Sequence, residues 1–335
     1  FQLLFPPHAI RTAQDSERFR EMIYNVENHI DVYNDSLILD EEFLPEGEKR
    51  WDKERYYTKL NNIYRVVISC GEWDPPAVVG LCEVENRKVL EDLVHQTPLK
   101  KFDYRIVHFD SPDARGIDVA LIYRNDLFRP DTACPLGVRF PFDQEDRTRD
   151  ILYVRGTLGD RQEVHFFVNH WPSRYGGYEA TRPKRQQAAQ ALRAAIDSIL
   201  VVDPAAGIVA MGDFNDGPFD ESMQKYLMAG TDTAAMPTTG LVNLTARHAA
   251  AGRSGTLKYK ENWDVFDQLV VSGNLMMKDA PLYITDEGAR IHTPDFLLEE
   301  DETYLGVKPY RTYLGMKYNN GFSDHLPVFL DLKIR

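Results

Sequence analysis

A chain of 335 residues that is 43% hydrophobic and 27% charged has enough apolar material for a large core and is not a disordered polymer. Its formal charge of -13 removes long-range attraction to a nucleic-acid backbone unless basic residues cluster locally or metal ions intervene. The three cysteines, Cys70, Cys82 and Cys134, lack CxxC or Cys/His spacing and so indicate neither a disulfide framework nor a zinc finger, with room for one disulfide at most, and no apolar run approaches the ~20 residues of a membrane helix.

Along the chain, "REMIYNVEN" (20–28) alternates with period two and predicts a strand. After the acidic stretch "LDEEFLPEGEKRWDKE", Leu60, Ile63 and Val67 recur at helical spacing. "PAVVGLCEVEN" predicts the next strand, and Asn86 caps a helix over "RKVLEDLVHQ". "GIDVALIYR", "ILYVRGTLG" and "EVHFFVNHW" follow as strands, the last running into the loop "PSRYGGYEATRPKR". A helix is expected from Pro183, with Ala188, Leu192, Ala195 and Ile199 on one side. "GIVAMGDFND", "DVFDQLVVSG" and "SDHLPVFLDLKI" supply the remaining strands. This order lacks the regular alternation of a doubly wound fold and predicts two stacked sheets with helices outside, in one domain over residues 1–335.

Many of these strands end in polar side chains. Asn25 and Glu27 close one, Glu83 and Glu85 another, His170 a third, and Asp213 and Asn215 a fourth, while Asp324 and His325 open the last. Residues two apart on a strand share a face, so adjacent strands would bring these groups to one rim. Taken alone, "DFNDGP" reads as a turn, and Glu27 and Glu85 read as solvated or capping carboxylates. Carboxylates, amides and two histidines are costly to assemble without a ligand, and one metal ion would satisfy them.

"YNVEN", "LCEVEN", "NHWPSR", "GDFND" and "SDHLPV" occur in the order of the endonuclease/exonuclease/phosphatase superfamily, which the chain resembles over residues 20 to 328. That group contains DNase I-like nucleases, abasic-site endonucleases, neutral sphingomyelinases and inositol polyphosphate 5-phosphatases. The resemblance implies an α/β (α+β) four-layer sandwich, two packed and mostly antiparallel sheets flanked by helices. It implies that Asn25, Glu83 and Asp324 hold or orient Mg²⁺ or Mn²⁺, an oxygen-seeking cation that keeps several waters. By the same resemblance His170 contacts the scissile phosphate or protonates the leaving oxygen. Asp213 lies near the attacking water or a second metal position, and Asn215 donates to a phosphate oxygen. His325 is a general base or a phosphate contact, oriented by Asp267. Gln268 stands where the family more often has an aromatic residue, which leaves Asp264 as an alternative partner for His325.

These parts compose an in-line attack of water on a phosphate ester. Arg174, just after His170, and Arg115, in a turn before a strand, are candidate phosphate-binding residues, whereas Lys184 and Arg185 read equally well as a solvated helix start. The expected activity is that of a metal-dependent phosphodiesterase of nuclease type. The alternatives are a phosphomonoesterase acting on a sugar, inositol or nucleotide phosphate, and a binding protein that keeps the fold without catalysis. The expected partner is a phosphate ester, with nucleic acid among the candidates. The chain begins at Phe1 and not at Met, which leaves room for an upstream segment removed either by processing or by truncation of the expressed sequence, where an export signal would lie, and localisation stays open.

Overall fold

The computed structural model describes residues 18–36, 38–72, 74–232, 240–252, 254–285 and 288–335. The alternation of "REMIYNVEN" becomes β1 (Arg18–His29), which sends Met22, Tyr24 and Val26 to one side and Phe19 and Ile23 to the other. Helix α1 (Lys53–Gly71) starts at Asp52, whose side chain accepts from the Arg55 amide, and β2 (Val78–Val84) follows. Asn86 caps α2 (Arg87–Gln96) by accepting from the Val89 amide at 3.1 Å, as its sequence predicts. Next come β3 (Tyr104–His108), β4 (Asp118–Arg124), β5 (Phe128–Leu136), β6 (Ile151–Leu158) and β7 (Gln162–His170).

Helix α3 (Tyr178–Val202) begins before Pro183, not at it, so the proline lies inside the helix. Proline forfeits one backbone hydrogen bond there. The buried Arg185 guanidinium braces the weakened turn, donating to Thr181 Oγ1 at 2.8 Å and to the Tyr178 carbonyl at 3.4 Å. The chain continues through β8 (Ile208–Asp213), β9 (Ala229–Gly230), β10 (Leu241–Asn243) and α4 (Ala246–Ala251). It then forms β11 (Leu257–Tyr259), β12 (Asn262–Asp264), β13 (Asp267–Ser272), β14 (Leu282–Ile284) and β15 (Arg290–Ile291). The last segments are β16 (Leu298–Glu300), β17 (Val307–Pro309), β18 (Tyr313–Leu314), β19 (Lys317–Tyr318) and β20 (Val328–Ile334).

One sheet runs β14-β20-β1-β2-β4-β3, with β15 also on β20, and the other runs β5-β6-β7-β8-β13-β10-β9. Most pairs are antiparallel, with β1/β2 and β7/β8 parallel at the two centres. Ile23, Cys82, Leu121, Phe166, Val168, Met211, Leu269 and Leu330 fill the space between the sheets. The outer face of the first sheet buries Met22, Tyr24 and Leu81 against Leu60, Ile63 and Val67 of α1 and Val89 and Leu93 of α2. That of the second buries Phe167, Ile208 and Ala210 against Ala188, Leu192 and Ile196 of α3. Each large apolar side chain contributes about 1.5–3 kcal/mol on full burial, so the four layers follow from three apolar interfaces. A Cβ on Gly80 would lie 2.9 Å from Met211 Sδ and 3.0 Å from Ile23 Cδ1, so glycine lets the sheets approach there.

Candidate active site

The site is the polar continuation of the inter-sheet core. On β1, Ile23 and Asn25 share the inner face; on β7 it is Val168 and His170, on β8 Met211 and Asp213, and on β13 Asp267 and Leu269. Register sets His170 and Asp267 on either side of Asp213. Gly212 makes this possible, because a Cβ there would meet the Asn169 carbonyl oxygen at 2.0 Å. The Cys82 thiol donates to that same carbonyl at 3.2 Å and ties the two sheets together at the rim.

Beyond these positions the strands cease to alternate. Glu27, Asn28, Glu83 and Asn215 all adopt left-handed backbone, with φ of 53°, 57°, 65° and 51°. The β1/β2 and β2/β4 pairings shift register at these points. Such bulges re-aim side chains at a cost of roughly 1–3 kcal/mol for a strained residue, and they concentrate at functional rims. Asn215 is therefore placed by a turn, its amide donating to Asp213 Oδ1 at 2.9 Å, and Phe214 between them is buried edge-on against Trp171. Likewise the Glu27 amide donates to Asn25 Oδ1 at 3.0 Å, and Glu27 does not share the face of Asn25.

Asn25 Nδ2 lies 3.1 Å from Asp213 Oδ2 and 3.4 Å from Glu83 Oε1. Asn25 thus aligns these carboxylates with its amide hydrogens, while its oxygen accepts from the Glu27 amide. His170 Nε2 sits 3.8 Å from Glu83 Oε1 and 3.7 Å from Asp213 Oδ2. His325 Nδ1 donates to Asp267 Oδ2 at 2.7 Å, and its Nε2 faces Asp213 and Asp324, each at 3.9 Å. Asp324 and His325 stand in the loop before β20, where the Ser323 hydroxyl donates to the Asn25 carbonyl at 2.7 Å and accepts from the His325 amide at 3.0 Å. Asn215 Nδ2 donates to the Trp171 carbonyl at 3.0 Å, which leaves its second amide hydrogen for a ligand.

Burial works against a charge on His325, but Asp267, Asp213 and Asp324 together overcome it and push its pKa well above the usual histidine range. Burial, reinforced by Arg149, Arg115 and His325, holds His170 well below that range. The two imidazoles are therefore pushed in opposite directions, His325 toward the charged form and His170 toward the neutral one. Burial pushes Asp213 up to about 7, with Asp267 and Glu83 adding to the effect and His325 opposing it. Burial also works against Asp324, yet Arg311, His325 and Lys59 hold it below the usual carboxylate range.

Asp267, not Asp264, is the partner of His325; Asp264 is half-buried on the small hairpin β11–β12. Gln268 is a buried bracket, donating to the Val265 carbonyl at 3.1 Å and accepting from Asn243. Arg174 does not reach into the cleft. Its guanidinium bonds Asp216 at 2.9 Å, Asp220 at 2.6 Å and the Asn215 carbonyl at 2.9 Å, between the rings of Tyr178 and Phe266, so it fixes the "GDFND" turn. Arg115 stays half-exposed beside Asp113, near enough to act on His170. Glu85 is buried and accepts from the Asp31 amide at 2.7 Å, a structural contact. Glu27 is neither solvated nor a cap: it is buried, accepts from Arg311 Nε at 3.1 Å and from the Thr312 amide at 2.6 Å.

Sequence reasoning missed Arg149 and Arg311. Buried Arg149 donates to the His170 carbonyl at 3.2 Å, the Trp171 carbonyl at 2.7 Å and Asp113 at 2.8 Å, holding the end of β7. Arg311 links Glu27 to Asp324, whose Oδ2 is 3.0 Å from its Nη2. Lys59, buried on α1, donates to Thr312 Oγ1 and the Phe322 carbonyl, both at 2.6 Å, and anchors the segment carrying Arg311. No motif marks these residues; only the arginine that opens the strand pattern "RDILYV" gives a local signal.

The rim carboxylates are chemically suited to a hard cation, but among the described residues their oxygens do not all come within 4.8 Å of one another. Glu83 and Asp324 offer hard oxygen donors, and the burial that pushes Asp213 up to about 7, with Asp267 and Glu83 adding to it, is a penalty on its charge that a nearby cation would offset. Glu83 Oε2 is used by the Asn28 amide at 3.0 Å, so Oε1 is the oxygen it offers. A separate group, His108, Asp110 and Asp118, brings potential ligand atoms within 4.8 Å of one another. There Asp118 already accepts from His108 at 3.1 Å and from the Ser111 amide at 2.9 Å, fixing the loop that carries Arg115. No helix among the described residues is long and apolar enough to cross a membrane.

The fold has solved counterparts. An endonuclease/exonuclease/phosphatase family protein from Bacteroides thetaiotaomicron superposes with a TM-score of 0.58 at 15% identity, covering 96% of this chain and 99% of its own. The human Nocturnin catalytic domain with bound sulfate anion gives 0.57 at 16% identity, covering 95% of each chain. D. rerio TDP2 complexed with single strand DNA product gives 0.53 at 13% identity, covering 94% of this chain and 98% of that one. At these identities the likeness is one of fold. No curated protein matches the sequence. The profile of the Endonuclease/Exonuclease/phosphatase family matches residues 22–334, which is nearly the whole chain, and the protein therefore belongs to that family of phosphoester hydrolases.

Proposed function

We propose that this protein hydrolyses a phosphodiester by in-line attack of water, in the manner of a nuclease. The observation that carries the reading is Asp213 placed between two imidazoles, 3.9 Å from His325 Nε2 and 3.7 Å from His170 Nε2, with His325 pushed toward the charged form and His170 away from it. Asp213, its carboxylate facing both imidazoles, accepts the proton of the attacking water. His325, held as an imidazolium by Asp267, directs Nε2–H at a phosphoryl oxygen, which is the second of the two roles its motif offers. Burial disfavours the protonated form of His170, so its role is to donate Nε2–H to another phosphoryl oxygen and not to deliver a proton to the leaving group. Asn215 uses its free amide hydrogen in the same way. Glu83 and Asp324 would hold Mg²⁺ or Mn²⁺, aligned by Asn25, and the bound ion would neutralise charge on the phosphoryl and departing oxygens. Donors fixed before the reaction, and aimed where charge develops, are worth more than the same groups in water.

The acidic surface, with 39 basic against 52 acidic residues, favours a site that acts on a phosphoester engaged locally over one that depends on a broad basic face. Plasmid DNA, bis(p-nitrophenyl) phosphate and p-nitrophenyl phosphate, assayed side by side with Mg²⁺ and with EDTA, test the reading. Turnover of the diesters in Mg²⁺ supports it. Turnover confined to the monoester would replace it with the phosphomonoesterase reading.

A further inference from the structure

Next to His325 the chain adds three short hairpins, β11–β12, β16–β17 and β18–β19, that belong to neither main sheet. Leu257 of the first forms a bridge with His325 itself, and the Leu326 amide donates to the Thr256 carbonyl at 2.7 Å. Between these hairpins lies a cavity of about 180 Å³, lined by Lys258, Lys260, Lys308 and Arg311 together with Asp301 and Asp324. Water occupies about 30 Å³ in the liquid, so this space takes a phosphate group with a few waters.

Four cations against two carboxylates give this lining a net charge of +2 on a chain whose total is -13. Not all four are equally available. Lys258 is buried and committed to Asp301 at 2.8 Å and the Leu305 carbonyl at 2.8 Å, so it braces the hairpins against each other. Lys308 keeps only a loose pairing with Glu299 at 3.8 Å. Lys260 sits at the tip of β11–β12 with left-handed backbone, φ 55°, over the ring of Tyr259, and has no carboxylate partner among the described residues. Arg311 stays 41% exposed while bonding Asp324, so one residue borders both the cavity and the reacting centre. A larger cavity of about 390 Å³ on the other side of Arg311 lacks this bias: its Lys49 lies 3.7 Å from Glu42 and over the Phe43 and Tyr313 rings.

We infer that the cavity bounded by Lys260, Lys308 and Arg311 binds a second phosphate of the substrate, adjacent to the scissile phosphoester. The inference rests on the phosphodiesterase reading and narrows it to substrates carrying more than one phosphate. A nucleotide chain supplies such a group as its next backbone phosphate, and a small bisphosphorylated molecule supplies it as a substituent. Lysine ammoniums suit this task as point charges on flexible stems, and Arg311 adds a planar donor face.

The test compares the Mg²⁺-loaded full chain on the p-nitrophenyl ester of thymidine 5′-phosphate with and without a 3′-phosphate. The expected result is a lower KM for the 3′-phosphorylated ester. Substituting both lysines, K260A/K308A, should cut that advantage by about three- to tenfold per lysine removed. The single-lysine control K333A, at the opposite end of β20, should keep the wild-type ratio, and the single variants K260A and K308A, each removing the same one charge, should not. Equal KM values in the wild type, or an undiminished advantage in the double variant, would overturn the inference. Wild-type protein that turns over neither ester contradicts the phosphodiesterase reading instead, and calorimetric binding of thymidine 3′,5′-bisphosphate then decides the cavity: affinity lost in K260A/K308A supports it and affinity retained sinks it. Repeating the comparison with a short single-stranded oligonucleotide and with a sugar bisphosphate assigns the source, by which of the two depends on the lysines; dependence in neither again counts against the cavity.

Discussion

Asp267 Oδ2 lies 2.7 Å from His325 Nδ1, and both groups are buried where the inter-sheet core meets solvent. That bond fixes which nitrogen of His325 faces the cleft and stabilises the charged ring. Asp267→Asn keeps the shape but removes the charge, so it is expected to lower kcat by about 10²-fold or more while KM changes little. Steady-state kinetics on bis(p-nitrophenyl) phosphate, with circular dichroism as a check on folding, measures this. Unchanged kcat in the folded variant would remove Asp267 from the site.

Asp213 should titrate near pH 7 when no cation is bound, because burial penalises its charge. A cation favours the charged form, so Mg²⁺ should move the titration downward. Carboxyl ¹³C shifts followed against pH, with and without Mg²⁺ and compared with Asp213→Asn, read this independently of turnover. A titration that Mg²⁺ leaves in place contradicts the assignment of this rim as a cation site.

The same shift has a stability consequence. The folded pKa of Asp213 is raised above that of the unfolded chain, so its contribution becomes unfavourable as pH rises from the unfolded value, about 4, to about 7, and stays so above. Asp213→Asn should therefore melt roughly 2–4 °C higher than wild type at pH 8 without Mg²⁺, and the gap should close near pH 4. Thermal denaturation at the two pH values checks it.

Glu21 is fully buried on β1, and neither carboxylate oxygen has a hydrogen-bond partner among the described residues. Burial first, and the charge of Asp331 second, raise its pKa well above the usual carboxylate value. A raised pKa disfavours the charged form in the folded chain, a cost that grows as pH rises from the unfolded value toward the folded one. Glu21→Met should stabilise the protein at pH 7 by about 1–3 kcal/mol and lose that advantage near pH 4. Urea unfolding at both pH values measures it, and a destabilised variant at pH 7 contradicts the account.

Arg149 holds the carbonyls of His170 and Trp171 through a fork that lysine cannot reproduce. Arg149→Lys is expected to lower kcat roughly tenfold and to cost about 1–3 kcal/mol of stability, because Asp113 and two carbonyls lose donors in a buried place. Kinetics and denaturant unfolding on the same preparation separate the two effects.

The sequence made the central strands legible because Ile23, Phe166, Val168 and Leu269 leave a period-two pattern that nothing else produces. Strand β5 hid behind Pro130 and Pro135, which an edge strand tolerates at its unpaired side and at a bulge, here between Pro130 and Thr132. β3 is short and pairs only with β4, and the hairpins from β11 to β19 depend on neighbours remote in sequence. Glu83 and Asp213 could be named from their motifs, but their mutual placement depends on register and on left-handed residues that alternation does not foresee. Glu27 illustrates the limit: two residues from Asn25 it should share a face, and the backbone turn at φ 53° sends it to Arg311 instead. Arg149 and Arg311 carry no motif because what they bind is a set of carbonyls and carboxylates assembled only by the fold.

The most direct test of the central claim is the Mg²⁺-dependent turnover of bis(p-nitrophenyl) phosphate by wild type, Asp213→Asn and His325→Gln. The account predicts wild-type activity abolished by EDTA and restored by Mg²⁺, and a loss of about 10²- to 10⁴-fold in kcat for each folded variant. Turnover that survives EDTA, or that persists at the wild-type rate in either variant, would contradict it.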